Sequence, residues 1–351
     1  MSLSLDPAIE ERLDSLRALI GDTRLMVIRC AYRGQPLTIG AKYEVQNFTG
    51  SIKDRMALHI MEDAYAHGAV KPGDTIVEAT SGNTGIAFAA VGRALGHDVR
   101  IYMPDWMSRE RVMVIQSLGA EIVPVTAEAG GFLGAIAQAE AFAAEHEGVF
   151  APRQFETQAN VDAHRLSTGP ELRRQLEAAG LEASAFVAGV GTGGTVMGVQ
   201  AYAQERMPGL RVHPLEPANS PTLRTGHRVG KHRIQGISDE FIPAIVDLEA
   251  LDEIVDVWDG DAILMAQALA SQFGLGVGIS AGANFLGALK LAHEAGDGRA
   301  VATVFCDSNK KYLSTDLCRE EPVLPEYLTP EVELLGCRVI PGPGLPWRSG
   351  L

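Results

Sequence analysis

The sequence is short of cysteine, positive charge and long apolar runs, and each shortage excludes a class of protein. The four cysteines (Cys30, Cys306, Cys318 and Cys337) lack metal-site spacing, so no metal and reduced thiols are expected. Thirty Lys and Arg residues against 44 Asp and Glu residues give a net charge of −14, which disfavours nucleic acid and anionic membranes as partners. No apolar run has membrane-spanning length, and the acidic start lacks a secretory apolar core, which predicts a cytoplasmic location.

Glycine is abundant, and its placement indicates ligand binding through the backbone. The 351 residues include 38 glycines, within a composition that is 46% apolar and 21% charged. Such a composition is typical of a globular protein. Many glycines occupy short loops between apolar runs, and consecutive backbone N–H groups in such loops bind small anions.

Short apolar runs alternate with helical stretches from residue 75 onwards. TIVEAT, DVRIYMP and EIVPVT are each followed by a helical pattern, and the scheme resumes with AFVAGV. This alternation predicts parallel sheets with helices on both faces. A polar break near residues 151–165 divides it into two series, so two sheets are expected. GVGIS is predicted to be a strand that ends at Ser280, and prolines predict an extended tail over residues 321–351.

The loop after AFVAGV has the composition of a phosphate site. Glycine and threonine fill it, with Gly189, Gly191, Thr192, Gly193, Gly194 and Thr195 in succession before a helix. Backbone N–H groups at a helix start bind phosphate. Its glycines also fit G-x-G-x-x-G, and Glu216 ends the next strand, so a dinucleotide site is an alternative on this pattern alone. The threonine hydroxyls favour a terminal phosphate.

A second loop, in EATSGNTG, gathers polar side chains at one helix start. They are Thr80, Ser81, Asn83 and Thr84. One such residue suffices for an N-cap, whereas four form a seat for a carboxylate.

Lys53, in NFTGSIKDR, projects from the apolar side of a helix expected to begin near Ser51. Its face carries Ala57, Ile60 and Ala64, whereas Arg55, His59 and Glu62 are expected on a polar face. A lysine there either extends out to water or, when desolvated, becomes a nucleophilic amine. Pyridoxal phosphate needs such a lysine together with a phosphate seat and a polar group at its ring nitrogen. Ser280 could supply that group, although alone it is indistinguishable from an N-cap.

Seven ordered motifs resemble the cysteine synthase family of pyridoxal-phosphate enzymes. They are TGSIKDR, EATSGNTGIAFAA, GVGTGGT, LEPANSP, HRIQGI, GISAGAN and DSNKKYLSTDL, within residues 18–318. The resemblance implies a two-domain α/β fold of the tryptophan synthase β type (fold type II), with two mainly parallel sheets covered by helices. It implies a smaller, mobile domain of residues 1–23 and 47–157, and a larger domain of residues 24–46 and 158–320.

The resemblance also implies the site. Lys53 would be the Schiff-base lysine, Asn83 the partner of the cofactor's ring hydroxyl, and Ser280 the partner of its pyridine nitrogen. The phosphate would be held by Gly191, Thr192, Gly193, Gly194 and Thr195. The substrate carboxylate would be held by Thr80, Ser81, Gly82, Thr84 and Gln154, with Gly236 across the cofactor. The dinucleotide alternative leaves Lys53, Asn83 and Ser280 without a role.

The implied chemistry passes through an α-aminoacrylate and makes or breaks a C–S bond. Lys53 would remove the Cα proton, and a neutral Ser280 would favour prompt loss of the β-leaving group. The main expectation is cysteine synthase-like β-replacement, in which O-acetylserine or a related donor and sulfide give cysteine. Alternatives are a cystathionine β-synthase-type replacement and a cysteine desulfhydrase or lyase. The family further implies a homodimer and serine acetyltransferase as a partner; a non-catalytic partner would need none of Lys53, Asn83 and Ser280.

The sequence departs from the family pattern at two places. Phe48 stands where proline is common, and we expect it to narrow the entrance. Asp239 and Glu240 follow Gly236, where small or uncharged residues are usual. They are either two exposed loop carboxylates, or Asp239 faces the reacting carbon. In the second case Asp239 would repel hydrosulfide and activate water, so that cysteine is consumed with release of sulfide and formation of serine or pyruvate.

Overall fold

Two sheets organise the protein, and a computed structural model describes residues 5–238 and 240–344. The larger sheet has seven strands: β1 (Leu25–Tyr32), β2 (Gln35–Tyr43), β7 (Ala183–Gly189), β8 (Arg211–Pro217), β9 (Val255–Val257), β10 (Ala300–Phe305) and β11 (Val332–Ile340). The smaller sheet has four: β3 (Thr75–Ala79), β4 (Asp98–Pro104), β5 (Glu121–Val125) and β6 (Val149–Phe150). The predicted α/β architecture with two mainly parallel sheets is confirmed.

The strand order brings the ligand loops to one edge of each sheet. The larger sheet runs β11-β1-β2-β10-β7-β8-β9, in which β1 is antiparallel to both β11 and β2 and the remaining pairs are parallel. The smaller sheet runs β5-β4-β3-β6 and is parallel throughout. In parallel sheets, ligands bind beyond the carboxyl ends of the strands, which is where β3 and β7 lead into the two predicted loops.

Helices cover both faces of each sheet. They are α1 (Pro7–Arg17), α2 (Lys53–His67), α3 (Asn83–Leu95), α4 (Arg109–Ser117), α5 (Gly131–Glu145), α6 (Gln158–Ala163), α7 (Gly169–Ala179), α8 (Gly194–Arg206), α9 (Thr222–Thr225), α10 (Asp259–Phe273) and α11 (Ile279–Ala295). Helices α10 and α11 pack on one face of the larger sheet, and α7 and α8 on the other. On the smaller sheet, α1, α2 and α3 share one core, while α5 covers the opposite face. None of these helices has the length and apolar character needed to span a membrane.

The predicted polar face of α2 is buried inside the protein. Its members Arg55, His59 and Glu62 are at most 5% exposed. Arg55 Nε lies 2.6 Å from Glu44 Oε2, and Arg55 Nη1 lies 2.7 Å from Glu171 Oε1. Distant carboxylates therefore neutralise this face inside the protein, which a helical pattern read in isolation does not reveal.

Two local predictions differ from the structure. GVGIS is not a strand, because Val277 makes only an isolated bridge to Ser308 and α11 already begins at Ile279. The C-terminal segment is more than an extended tail, since β11 pairs along the whole of β1. Prolines flank β11 rather than interrupt it, as the missing N–H of proline requires. Residues 345–351 lie outside the described chain.

Candidate active site

Most of the predicted residues, from loops of both sheets, line one cavity, and Gly193 and Gly194 are not part of its lining. Its wall includes Lys53, Thr80, Ser81, Gly82, Asn83, Thr84, Gln154, Gly191, Thr192, Thr195, Gly236 and Ser280. The structure thus brings together loops that are more than 200 residues apart in the chain. Asp239 lies outside the described residues.

Lys53 is held at the cavity by the start of its helix. It is half-buried and is the first residue of α2. Just before it, Ile52 N donates to Cys306 O over 2.9 Å, and Ser51 forms a β-bridge with Asp307. The end of β10 therefore fixes where α2 begins, and with it the position of the Lys53 side chain.

The phosphate loop is too crowded for side chains at its glycines. A Cβ on Gly191 would lie 2.3 Å from Gly236 O, and one on Gly194 would lie 1.9 Å from Asn160 Oδ1. Gly193 has φ +89°, a left-handed conformation that favours glycine. Behind the lining, Asn160 Nδ2 donates to Thr192 Oγ1 over 2.9 Å. The loop is thus a close-packed backbone cradle at the N-terminus of α8, which suits a phosphate.

His164 supports this cradle and was missed by sequence analysis. It begins a π-helical turn, His164–Thr168, and its Nε2 lies 3.3 Å from Thr195 Oγ1. Burial lowers the pKa of His164 well below its ordinary value, assisted by the nearby charges of Arg55 and Lys53. A neutral imidazole therefore adjoins the threonine hydroxyl. π-Turns are frequent at functional sites, but no local sequence pattern marks this one.

The carboxylate loop is tied to Gln154. Thr84 Oγ1 donates to Gln154 Oε1 over 2.7 Å, and Gln154 Nε2 donates to Ala79 O over 2.8 Å. Beneath them the buried Glu78 carboxyl accepts from Ala79 N over 2.9 Å. Burial raises the pKa of Glu78 to about 8. The base of this loop is thus an uncharged acid at neutral pH.

Arg111 adds a cation to the cavity that sequence analysis did not predict. It comes from α4, is 4% exposed, and its guanidinium lies 4.9 Å from the Tyr312 ring centroid. A Cβ on Gly82 would lie 2.6 Å from Arg111 Nε, so this side chain borders the carboxylate loop. Among the described residues, Arg111 Nε has no hydrogen-bond partner. No motif surrounds it in the sequence.

Ser280 lies in the first turn of α11 and not at a strand end. Cys306, another residue that was not predicted, lines the same cavity, and its Sγ accepts from Asn284 Nδ2 over 3.6 Å. Burial raises the pKa of the Cys306 thiol to about 12. This wall of the cavity therefore presents a neutral hydroxyl and a neutral thiol.

Asn83 takes part in a buried polar network with the segment that follows β10. Asn83 Nδ2 donates to Asp307 Oδ2 over 2.7 Å, and Lys311 Nζ donates to Asn83 Oδ1 over 2.8 Å. Tyr312 also donates its hydroxyl to Asp307. The asparagine amide thus has a defined orientation at the cavity wall.

The residues that departed from the family pattern have different surroundings. Phe48 is 42% exposed and is not among the residues that line the cavity. Glu240 is held by Arg228, with Arg228 Nη1 3.0 Å from Glu240 Oε1. Gly236 has φ +89° and faces open space.

Comparisons with known proteins identify the family. A family model described as pyridoxal-phosphate dependent enzyme matches residues 16–307. A cysteine synthase from Staphylococcus aureus is 41% identical over 308 residues, which cover 88% of this chain and 98% of the relative. The chain is a member of the cysteine synthase family.

Solved structures agree with this assignment. A hydrogen sulfide-producing enzyme from Fusobacterium nucleatum has 50% identity and a TM-score of 0.92, covering 95% of this chain and 99% of its own. An aspartate-to-asparagine variant of that enzyme has been solved with an α-aminoacrylate intermediate. An O-acetylserine-dependent cystathionine β-synthase from Helicobacter pylori has 32% identity and a TM-score of 0.77, covering 86% and 97% of the two chains.

The protein is therefore a pyridoxal-phosphate-dependent β-replacement enzyme, as the resemblance implied. The cavity fits the cofactor, because it combines Lys53 with a backbone cradle in which Gly191 and Gly194 leave no room for a Cβ atom.

The dinucleotide alternative is not supported, because the acidic residue that it requires, Glu216, is not available to a ligand. Glu216 is buried, accepts from Leu223 N over 2.6 Å and lies 3.2 Å from Arg224 Nη1, so it is engaged within the protein.

Proposed function

We propose that this member of the cysteine synthase family consumes cysteine, releasing sulfide and adding water at the β-carbon to form serine. The observation that carries the proposal is the similarity to the hydrogen sulfide-producing enzyme, at 50% identity over 95% of the chain. The match to the Staphylococcus aureus cysteine synthase is weaker on both counts, at 41% and 88%.

Each part of the cavity has a task in this reaction. Bound pyridoxal phosphate supplies the electron withdrawal that acidifies the substrate Cα–H. Lys53 would hold the cofactor and would serve as the general base at the substrate Cα–H. The cradle of Gly191, Thr192, Gly193, Gly194 and Thr195 binds the phosphate. Ser280 is the neutral partner of the ring nitrogen.

The substrate carboxylate is held by Thr80, Ser81, Gly82, Thr84 and Gln154. Arg111 borders this seat and adds a hydrogen-bond donor, because its Nε has no partner among the described residues. Gly236 lies across the cofactor from these residues. The smaller-sheet part of the chain closes over the substrate, which excludes bulk water from the reacting carbon.

Asp239 is the general base that activates water in this proposal. The flanking residues support that role, since Ser238 has φ +55°, a strained conformation for serine, and Ser238 N donates to Val190 O over 2.8 Å. Glu240, the other carboxylate of this segment, is paired with Arg228. An aspartate is also the residue replaced in the variant of the relative.

The test compares Asp239→Asn with Glu240→Gln and the unmodified chain. Sulfide and serine formed from cysteine are quantified, together with cysteine formed from O-acetylserine and sulfide. We expect Asp239→Asn to reduce serine formation about 100-fold or more, the usual range for loss of a general base, while Glu240→Gln retains it. Equal serine formation by Asp239→Asn and the unmodified chain would refute the proposal.

Cysteine synthesis is the second candidate, favoured by the names of the curated relatives. The same assay distinguishes the two, because an enzyme of synthesis gives cysteine from O-acetylserine and sulfide faster than it consumes cysteine.

We further propose that the protein is a cytoplasmic homodimer. Light scattering on a sizing column tests the dimer. Adding a serine acetyltransferase to the same column tests the partner that the family implies.

A further inference from the structure

Lys311 is a second lysine beside the site, in contact with the cavity residue Asn83, and the reaction described above gives it no role. It is 6% exposed and ends a short 3-10 turn, Asn309–Lys311. Its Nζ donates to Asn83 Oδ1 over 2.8 Å and to Gly50 O over 3.4 Å. A buried lysine that contacts a cofactor-binding residue calls for a functional explanation, because burying its charge costs free energy.

Two nearby carboxylates favour the ammonium form of Lys311. Burial lowers the pKa of Lys311, and Arg111 acts in the same direction, whereas the carboxylates of Asp307 and Asp54 raise it. Asp54 is itself buried, with a pKa raised to about 6, and it accepts from Thr49 N over 2.6 Å. The two carboxylates on either side favour an ammonium, whose nitrogen can only donate hydrogen bonds.

Lys311 and Asp307 together determine which way the Asn83 amide points. The ammonium of Lys311 can only donate, so it selects the amide oxygen. The carboxylate of Asp307 can only accept, so it binds the amide nitrogen of Asn83, which donates to it over 2.7 Å. The same carboxylate also accepts the Tyr312 hydroxyl. A reversed amide would place N–H against the ammonium and oxygen against the carboxylate. One N–H of Asn83 binds Asp307, and Asn83 itself lines the cavity.

We propose that Lys311 is a positioning residue that locks the Asn83 amide so that it donates an N–H to the ring oxygen of the cofactor. The inference rests on the role proposed for Asn83. An N–H donor stabilises the negative form of that oxygen, so the proton it shares with the Schiff-base nitrogen stays on the nitrogen. With the amide reversed, its oxygen would instead favour the protonated ring oxygen.

The experiment measures the absorption of the bound cofactor against pH, and the dissociation constant of the cofactor, in purified holoenzyme. Lys311→Met retains an apolar stem of similar length and removes the donors. We expect part of the long-wavelength band to move to the short-wavelength form, and cofactor binding to weaken about tenfold, as for loss of a charge-assisted hydrogen bond. Lys311→Gln, whose amide can donate or accept, is expected to shift the band less in the same direction.

Two controls isolate the positioning role. Lys310→Met changes the exposed neighbouring lysine and is expected to match the unmodified chain. In an Asn83→Ala background, Lys311→Met is expected to have no further effect, because the residue acts through the amide. An unchanged spectrum and affinity in Lys311→Met would overturn the proposal, as would a shift of full size in the Asn83→Ala background. These readouts involve neither sulfide nor serine, so they are independent of which nucleophile the enzyme uses.

Discussion

At the residue scale, Arg111 is the side chain whose chemistry the local sequence conceals most completely. It is buried beside the carboxylate loop, packs near the Tyr312 ring, and has an unengaged Nε among the described residues. A buried guanidinium with a donor to spare suits a carboxylate, because its planar fork matches the two oxygens.

We therefore predict that Arg111→Met raises the KM for the amino-acid substrate about tenfold or more, with a smaller change in kcat. Arg111→Lys keeps the charge without the fork and should recover part of the loss. Steady-state kinetics with cysteine measure both constants. Arg109→Met, an exposed neighbour on α4, serves as the matched control, and a KM unchanged by Arg111→Met would exclude a binding role.

Residues of the site divide into those with a local signature and those without. Lys53 and the loops at residues 80–84 and 191–195 were predicted because glycine, hydroxyl groups and an apolar helix face occur within a few positions of one another. Arg111 and Cys306 line the cavity, and His164 and Lys311 contact its lining, from segments that carry no such cluster. Their positions depend on tertiary packing, which cannot be predicted from the periodicity of a single sequence.

At the scale of elements, a buried ion network joins α2 to the larger sheet. Arg55 lies between Glu44 and Glu171, and Glu171 also accepts from Lys42 Nζ over 2.6 Å. Arg55 holds the pKa of Glu171 well below its ordinary value against the opposing effect of burial. Since α2 begins with Lys53, this network also orients the helix that carries the cofactor lysine.

Removing Arg55 should be severely destabilising, because the buried Glu44 would lose its ion-pair partner and the buried Glu171 would keep only Lys42. We predict that Arg55→Met lowers the free energy of unfolding by about 3–5 kcal/mol, and that Arg55→Lys restores only part of it. Urea unfolding of the purified chain gives the value. Arg174→Lys, exposed on α7, should be neutral. A loss below about 1 kcal/mol for Arg55→Met would contradict the network's structural role.

At the scale of the whole molecule, Glu78 makes the folded protein less stable as pH rises. Its folded-state pKa of about 8 lies above the ordinary value of 4.5, so between these values the folded chain binds a proton that the unfolded chain has lost. Stability therefore declines as pH rises through this interval. Glu140 and Glu156 reinforce the shift through their negative charges.

We predict that Glu78→Gln flattens this decline between pH 6.5 and about 8, above the pKa of about 6 at Asp54. The unfolding midpoints of the unmodified chain and of Glu78→Gln are measured at each pH. Their difference cancels the contributions of all other titrating groups. Parallel curves across that interval would show that Glu78 does not titrate there.

The pairing of β1 with β11 also has a consequence for synthesis on the ribosome. Residues 25–32 emerge early, but their outer neighbour, residues 332–340, is made about 300 residues later. At translation rates of about 5–20 residues per second, the outer edge of β1 waits about 15–60 s for its partner. During that wait an apolar strand with open N–H and C=O groups is a template for other chains, so the nascent chain has its greatest need of chaperones before its last strand is made.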